Sequence, residues 1–288
     1  MKSNPSFCTI APTQYLPQFA RKIRSDYHLL LAHLIDHQSS VYDKEYADFY
    51  ASTKRPNEVY IMDCGAFELG ESYAPDRLIR IGQSVRADIL VLPDYPGKSW
   101  TVTRDSAIEH IPSFKAAGFK TFYVPQSALG DWDGWMDGFE WALFNPDIDV
   151  IGLSILAHPI ALPQYPQSYV RVVAADRIRK WLDASPERAA AFDAKHIHWL
   201  GLLSPGLEIP PLLAMRLVDT LDSSNPVWFG HCGHRYNLTC DGWTPVTKRM
   251  VPEVDFSAKV NKHALGTITY NLDRIEDAFL INFANTQK

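Results

Sequence analysis

Four polar side chains, far apart in the chain, have the types and the settings that carboxylate chemistry needs. Asp222, within residues 217–225, is a candidate nucleophile. Asp63, Asp94 and Gln126 each follow a short apolar run, where a buried strand would end and a loop begin. Because parallel α/β enzymes assemble their active sites from the ends of several strands, these positions indicate an enzyme.

The elements that would position these residues are short apolar runs alternating with stretches of helical spacing. Helical spacing is found at 77–86, 106–117 and 171–182. Strands that alternate with helices predict a parallel sheet with right-handed crossovers. The strand-like runs lie at 27–35, 59–62, 89–92, 121–124, 150–155, 197–203 and 227–229.

This order of elements predicts an α/β fold, a (β/α)8 TIM-like barrel. We expect residues 1–288 to form a single domain with an irregular C-terminal insertion. An open doubly wound sheet is the alternative, because periodicity gives the order of elements but not closure. The proline-rich stretches 158–166 and 204–211 are predicted to be long loops at the rim.

The composition is that of an ordinary globular protein, with 46% hydrophobic residues. No apolar run reaches the roughly 18 residues that a membrane span needs, and the N-terminus lacks a signal-peptide layout. We therefore expect a cytoplasmic protein without membrane contact, for which a homodimer is one compatible assembly. The cysteines are too few for a disulfide framework and are expected to be reduced. They are Cys8, Cys64, Cys232 and Cys240.

The formal net charge of −5 argues against a globally basic surface but allows a local basic face. The basic clusters at 21–24 and 177–180 are interpreted as solvated helix faces or loops. A third basic segment, residues 230–265, also contains Tyr236 and Trp243, which suits phosphate contacts and base stacking. Its candidate nucleic-acid ligands are His231, His234, Arg235, Lys248 and Arg249, with Lys259, Lys262 and His263 nearby.

Six short motifs occur in an order that resembles the tRNA-guanine transglycosylases. The resemblance covers about residues 57–225 and lies in the order and spacing of the motifs, none of which is diagnostic alone. It implies a (β/α) barrel that exchanges a guanine base on a nucleic acid, a pentosyltransferase reaction. The motifs are Asp63-Cys-Gly-Ala-Phe67, residues 87–94, Val124-Pro-Gln126, Ile151-Gly-Leu-Ser154, residues 198–202 and Val218-Asp-Thr-Leu-Asp-Ser223.

The resemblance also implies a role for each matched residue. Asp222 would be the nucleophile and Asp63 the general acid/base, and Gly65 of the same motif would contact the substrate. Asp94 would read the edge of the base, and Gln126 and Gly152 would line the base pocket. Phe67 is a candidate wall for an extruded base, which a duplex must expose by flipping or local opening.

The chain departs from the family at its zinc site, since three closely spaced cysteines and a distant histidine are missing. Cys232, His234 and Cys240 are weak candidate ligands at a spacing that matches no standard zinc motif. We therefore expect no cofactor. The compact chain most resembles the DNA-acting branch, the 7-deazaguanine DNA transglycosylases (DpdA), some of them phage-encoded and active in a host cytoplasm. The expected partners are DNA and a free 7-deazaguanine base such as preQ0.

The proposed roles agree with the chemistry of an N-glycosidic bond. Its cleavage passes through an oxocarbenium-like state, which a carboxylate such as Asp222 can trap as a covalent intermediate. A second carboxyl, Asp63, would protonate the departing guanine and deprotonate the incoming base, which requires a pKa nearer neutrality. Asp94 would accept hydrogen bonds from the guanine N–H groups, while Gln126 would serve the carbonyl oxygen.

Different functions and residue roles remain open at this point. The enzyme could act on tRNA, use Asp63 and Asp222 as the carboxylate pair of a glycoside hydrolase, or be a catalytically silent nucleic-acid-binding barrel. Asp219 competes with Asp222 as nucleophile. Asp63 and Asp94 could simply form turns. Gln126 could be a surface amide and Cys64 a small pocket residue.

Overall fold

Eight parallel strands form a nearly closed barrel in this computed structural model. The structure describes residues 5–23, 25–167, 169–202, 204–239, 242–244 and 252–286. The strands pair in the order β1-β8-β7-β6-β5-β4-β3-β2, and β1 lies alongside β2. They are β1 Ser6–Thr9, β2 Tyr27–Leu30, β3 Val59–Met62, β4 Ile89–Val91, β5 Lys120–Tyr123, β6 Val150–Ser154, β7 His196–Leu200 and β8 Thr220–Ser223.

Helices follow the strands and surround the barrel, as parallel connections require. Many helix starts have local signals. Asp43, Asp131 and Ser185 accept hydrogen bonds from backbone N–H groups in the first turns of their helices. The helices are α1 Leu16–Phe19, α2 Ala32–Ile35, α3 Lys44–Thr53, α4 Ala66–Leu69, α5 Pro75–Ser84, α6 Trp100–Ala116, α7 Trp132–Phe144, α8 Ala157–Ala161, α9 Val170–Asp183, α10 Pro186–Ala194, α11 Pro205–Ala214, α12 Asn225–His231 and α13 Leu265–Thr286.

The chain beyond the eighth strand forms an irregular extension. After α12, the antiparallel strands β9 Asn237–Thr239 and β10 Gly242–Thr244 pair with each other, and α13 packs against α11 and α12. At Gly230 on α12, an added Cβ would lie 2.7 Å from the Ile268 Cα on α13, so this close helix contact needs glycine. In the part of the chain that the structure describes, no helix is both long and apolar enough to span a membrane.

The sequence-based prediction of a (β/α)8 barrel is confirmed, with local corrections. Residues 227–229 were predicted as a strand but lie in α12, because Pro226 suits a first helical turn and the apolar side chains pack against neighbouring helices. The predicted loops 158–166 and 204–211 are partly helical, forming the end of α8 and most of α11. The last strand of the barrel is Thr220–Ser223, which lies just before the segment 227–229 that was predicted as a strand.

The register of the last strands determines which side chains face the barrel interior. His198 lies opposite Thr220, and Cys8 lies opposite Asp222. Because side chains alternate along a strand, Thr220 and Asp222 point to the same face of β8. Both contact His198, so this face is the interior.

Candidate active site

A cavity of about 1120 Å³ opens at the carboxyl ends of the strands. Its wall includes carboxyl groups that reach it from different strands and loops. Asp63 follows β3, Asp94 follows β4 and Asp222 lies on β8. Glu68, on α4, lines the same cavity. The cavity therefore brings together the three acids that the sequence singled out and adds acids that it did not, namely Glu68 and the further lining residues Asp43, Glu45, Glu253 and Asp255.

Asp222 is held firmly at one of its two oxygens. Its Oδ1 accepts a hydrogen bond from the Gly201 backbone N–H at 2.9 Å and lies 2.9 Å from His198 Nε2. The residue is only 3% exposed, yet it lines the cavity. A carboxylate oriented in this way has the placement that a nucleophile at a strand end requires.

Asp219 directly precedes β8, at the end of the strand that is opposite to the cavity. Its Oδ2 accepts the Ile197 backbone N–H at 2.8 Å, and its own N–H donates to the Ile197 carbonyl at 2.9 Å. These contacts join the amino ends of β7 and β8, away from the cavity. The geometry thus favours Asp222 over Asp219 as the nucleophile.

Asp63 is half-buried in the cavity and is positioned by Gly65. The Gly65 N–H donates to Asp63 Oδ2 at 3.0 Å from a backbone with φ of +83°, a conformation that favours glycine. Burial, assisted by the negative charges of Asp94 and Asp222, raises the pKa of Asp63 to about 7. Gly65 was expected to contact the substrate, but the structure places it beneath Asp63.

Glu68 is the functional candidate that the sequence did not reveal. Glu68 is exposed on α4 and lines the cavity. Desolvation by the cavity wall, together with the negative charge of Asp63, raises the pKa of Glu68 to about 8. Two neighbouring carboxyl groups that hold protons near neutral pH suit proton transfer. The Ala66–Leu69 segment offered no signal for this, because one glutamate on a short helix is ordinary.

Asp94 lies deeper and receives two side-chain hydrogen bonds. The Cys64 thiol donates to Oδ1 at 3.2 Å, and the Gln126 amide donates to Oδ2. Burial raises the pKa of Asp94 to about 6, although both donors act in the opposite direction. Burial and the charge of Asp94 raise the pKa of the Cys64 thiol, which keeps it a donor rather than a nucleophile.

Gln126 and Gly152 lie behind the cavity surface. Gln126 is fully buried, and its contact with Asp94 makes it a support for that carboxyl group. At Gly152, an added Cβ would lie 2.1 Å from Cε2 of Phe122, so the missing side chain makes room for this ring. The direct base contact expected of both residues is replaced by packing beneath the pocket.

Phe67 stands at the mouth of the cavity. It is 52% exposed, and the apolar residues Leu69 and Val41 near it are also exposed and line the cavity. Exposed aromatic and aliphatic side chains around an acidic floor suit a flat, mainly apolar ligand. Phe67 therefore stays a candidate wall for a base.

The candidate nucleic-acid ligands differ in their surroundings. His231 is stacked on Trp228 with ring centroids 4.9 Å apart and lies 2.8 Å from the Tyr15 hydroxyl through Nδ1. The Arg235 guanidinium lies 3.5 Å from the centroid of the Tyr270 ring. His231 is therefore engaged by packing against Trp228 and Tyr15, whereas Arg235 is exposed. His234 is half-buried, whereas Lys259, Lys262 and His263 are exposed; Lys248 and Arg249 lie outside the described residues.

The weak candidate zinc ligands are only partly described. Cys232 is a half-buried free thiol and His234 lies two residues further on, whereas Cys240 lies outside the described residues. Across the described ranges, no three His, Cys, Asp or Glu side chains are grouped so that they could hold a metal ion.

A buried ion pair supports the strand ends beside Asp222. Arg171 on α9 is 1% exposed, and its Nε lies 3.0 Å from Oε2 of Glu208 on α11. Its guanidinium also donates to the carbonyls of Leu153 at 3.2 Å and Leu200 at 2.8 Å. Since Leu200 precedes Gly201, this pair fixes the backbone that supplies a donor to Asp222. No local pattern indicates the pair, because Arg171 and Glu208 lie 37 positions apart.

Comparison of the sequence with protein-family models and with curated proteins gives no match in either case.

Proposed function

We propose that the protein is a base-exchange glycosyltransferase, a pentosyltransferase that replaces guanine in DNA by a 7-deazaguanine such as preQ0. One observation carries this proposal: Asp63 and Asp222 line the same cavity, which they reach from the carboxyl ends of separate strands. Asp63 holds a proton near neutrality, whereas Asp222 is fixed by hydrogen-bond donors. An acid and an oriented nucleophile are the pair that glycosidic exchange requires.

In the first half-reaction, Asp222 Oδ2 forms a bond to the anomeric carbon of the nucleotide as the bond to guanine N9 breaks. The proton of Asp63 passes to the departing guanine, which leaves as a neutral base. The products are an aspartyl glycosyl ester and the carboxylate form of Asp63.

In the second half-reaction, the incoming 7-deazaguanine gives its N9 proton to Asp63 and attacks the anomeric carbon. The ester bond to Asp222 breaks, and its electrons return to the carboxylate. One glycosidic bond replaces another, so the exchange needs neither ATP nor a redox cofactor.

Asp94 gives the pocket its preference for a guanine-like edge. Such an edge presents adjacent N–H donors, which a carboxylate accepts. Cys64 and Gln126 hold the Asp94 carboxyl group at the side of the cavity. Phe67 at the mouth supplies an apolar surface for an extruded ring. The preference for DNA over tRNA derives from the spacing of the cysteines in this sequence, which differs from the zinc-binding spacing of the tRNA-acting family.

The test offers the purified protein radiolabelled guanine together with either duplex DNA or unmodified tRNA. We expect label to enter DNA, and we expect Asp222→Asn to abolish both incorporation and the covalent adduct. Asp219→Asn is the control, since it changes a carboxylate of the same strand that lies outside the cavity. Label in tRNA alone would identify tRNA as the substrate. Release of guanine in the absence of an incoming base would indicate a hydrolase. Full exchange by Asp222→Asn would contradict the proposed nucleophile.

A further inference from the structure

A chain of three hydrogen bonds crosses the barrel interior beneath Asp222. His196 Nε2 lies 2.8 Å from Thr220 Oγ1, and the same oxygen lies 2.7 Å from His198 Nδ1. His198 Nε2 then lies 2.9 Å from Asp222 Oδ1. Thr220 and His198 are fully buried, so water does not compete for these contacts.

For a neutral His198 beside an ionised Asp222, the chemistry of the groups gives this chain one direction. An ionised carboxylate only accepts hydrogen bonds, so His198 Nε2 must carry a hydrogen and donate it in the hydrogen bond to Asp222. In the neutral imidazole, Nδ1 is then an acceptor, and the Thr220 hydroxyl must donate to it. The threonine oxygen in turn accepts from His196 Nε2–H. Thr220 thereby selects the tautomer in which His198 is a donor to Asp222.

The two oxygens of Asp222 consequently have different surroundings. Oδ1 accepts one hydrogen bond from His198 Nε2 and another from the Gly201 N–H. Within the described parts of the chain, no hydrogen-bond donor is assigned to Oδ2, and Asp222 lines the cavity. One oxygen is thus anchored while the other is left for a ligand.

We propose that His198 and Thr220 are positioning residues that hold Asp222 for attack through Oδ2; this rests on the proposed function. During ester formation the anchored oxygen becomes the ester carbonyl oxygen, and during ester cleavage it receives part of the returning negative charge. The donors on Oδ1 stabilise that charge, so they act most strongly when the base displaces Asp222.

Matched substitutions distinguish the loss of a hydrogen-bonding group from a change in the volume of the side chain. His198→Phe keeps a planar ring and removes the donor, whereas His198→Gln keeps an N–H that can reach Asp222. Thr220→Val removes the hydroxyl at nearly constant shape, and Thr220→Ser keeps it. We expect kcat to fall by about 10²-fold in His198→Phe, the scale for one lost preorganised donor, and to recover largely in His198→Gln. Thr220→Val should lower kcat while Thr220→Ser stays near the wild type.

A packing defect alone would not give this pattern. The KM for the incoming base should stay unchanged, because Asp94 and not Asp222 contacts the base. In single-turnover experiments the glycosyl adduct should accumulate in His198→Phe, because the poorly stabilised carboxylate leaves slowly. If His198→Phe fails to fold by circular dichroism, the Thr220→Val and Thr220→Ser pair carries the same comparison.

Nuclear magnetic resonance of protein labelled with ¹⁵N-histidine tests the chain without any activity. His198 signals, identified by their loss in His198→Gln, should show a protonated Nε2 and an unprotonated Nδ1. The opposite tautomer would overturn the positioning role, as would a wild-type kcat in His198→Phe or Thr220→Val. Absence of base exchange in the wild type, with the expected tautomer present, would instead reject the proposed function.

Discussion

Gln126 donates its amide to Asp94 Oδ2, and this buried contact joins the ends of two adjacent strands, β4 and β5. Together with the Cys64 thiol on Oδ1, it leaves the Asp94 carboxyl group little freedom to rotate. A recognition group that is fixed before the ligand arrives loses less entropy on binding. The two polar residues therefore form one unit, of which Asp94 is the part that faces the cavity.

Asp94→Asn should weaken guanine recognition while leaving the fold intact. The new amide replaces one acceptor by a donor, and Gln126 can accept from it after an amide flip. We expect kcat/KM for guanine to fall by about 10- to 100-fold, the scale for losing a hydrogen bond to a charged group. Steady-state exchange measures this, with Asp137→Asn on the outer helix α7 as the control. An unchanged preference for guanine over adenine would contradict the role of Asp94.

The raised pKa values predict how stability depends on pH. The unfolded chain ionises Asp63 near pH 4, whereas burial keeps it protonated in the folded protein up to a pKa of about 7. Folding therefore takes up a proton between these values. The contribution of Asp63 to the free energy of unfolding is present at low pH and is lost as the pH rises towards 7.

Urea denaturation of the wild type and Asp63→Asn at pH 5 and pH 8 measures this dependence. The amide cannot ionise, so the variant should gain stability relative to the wild type at pH 8. The same difference at both pH values would show that Asp63 titrates normally. Because Asp63 must start as an acid, base exchange should also slow as the pH rises through about 7.

Gly65→Ala should impair both stability and activity. The backbone has φ of +83°, and an added Cβ would lie 3.1 Å from the Tyr73 ring. We expect a loss of about 1–2 kcal/mol from the left-handed backbone, with a slower reaction because the N–H that holds Asp63 moves. Gly70→Ala is the matched control, since φ is +76° but nothing lies within 4 Å. Chemical denaturation and exchange rates should separate the two variants, and equal activities would contradict the role given to Gly65.

The Arg171–Glu208 pair should be intolerant of single substitutions. With side chains 1% and 2% exposed, Glu208→Gln would leave a buried guanidinium without its counter-charge. We expect a loss of about 3–5 kcal/mol in unfolding free energy. Replacing both residues by apolar ones should cost less than this single change. Asp176→Asn, which breaks an exposed pair with Lys180, should cost under about 1 kcal/mol.

The sequence predicted the barrel well where strands are apolar on both faces, as at Val59–Met62 and Ile89–Val91. It did not identify Thr220–Ser223 as a strand, because three of its four residues are polar. Thr220 and Asp222 face the polar interior around His198, which only the folded barrel creates. The apolar stretch at 227–229 was misassigned for the converse reason, since periodicity does not distinguish a short buried helix from a strand.

Within the site, residues at strand ends could be found from the sequence, and their partners could not. Asp63 and Asp94 follow strands whose apolar runs are visible in the sequence. Asp222 lies on a polar strand, and it was found through the motif at residues 218–223. The role of His198 depends on Thr220 and Asp222, which are 22 and 24 positions away in the chain. The role of Glu68 depends on its place in the cavity wall beside Asp63. Contacts of this kind depend on barrel closure and register, which no local pattern specifies.

The pairing of the last strands has a consequence for partly unfolded forms of the protein. Successive side chains of a strand alternate between faces, so shifting β8 by a single residue would turn Asp222 outward and Leu221 inward. A partly unfolded molecule can keep most of its secondary structure and still lose the register between β7 and β8. Its cavity would then lack the carboxylate oxygen of Asp222. We therefore expect mild denaturant to abolish the activity of the protein at concentrations that leave its helices folded.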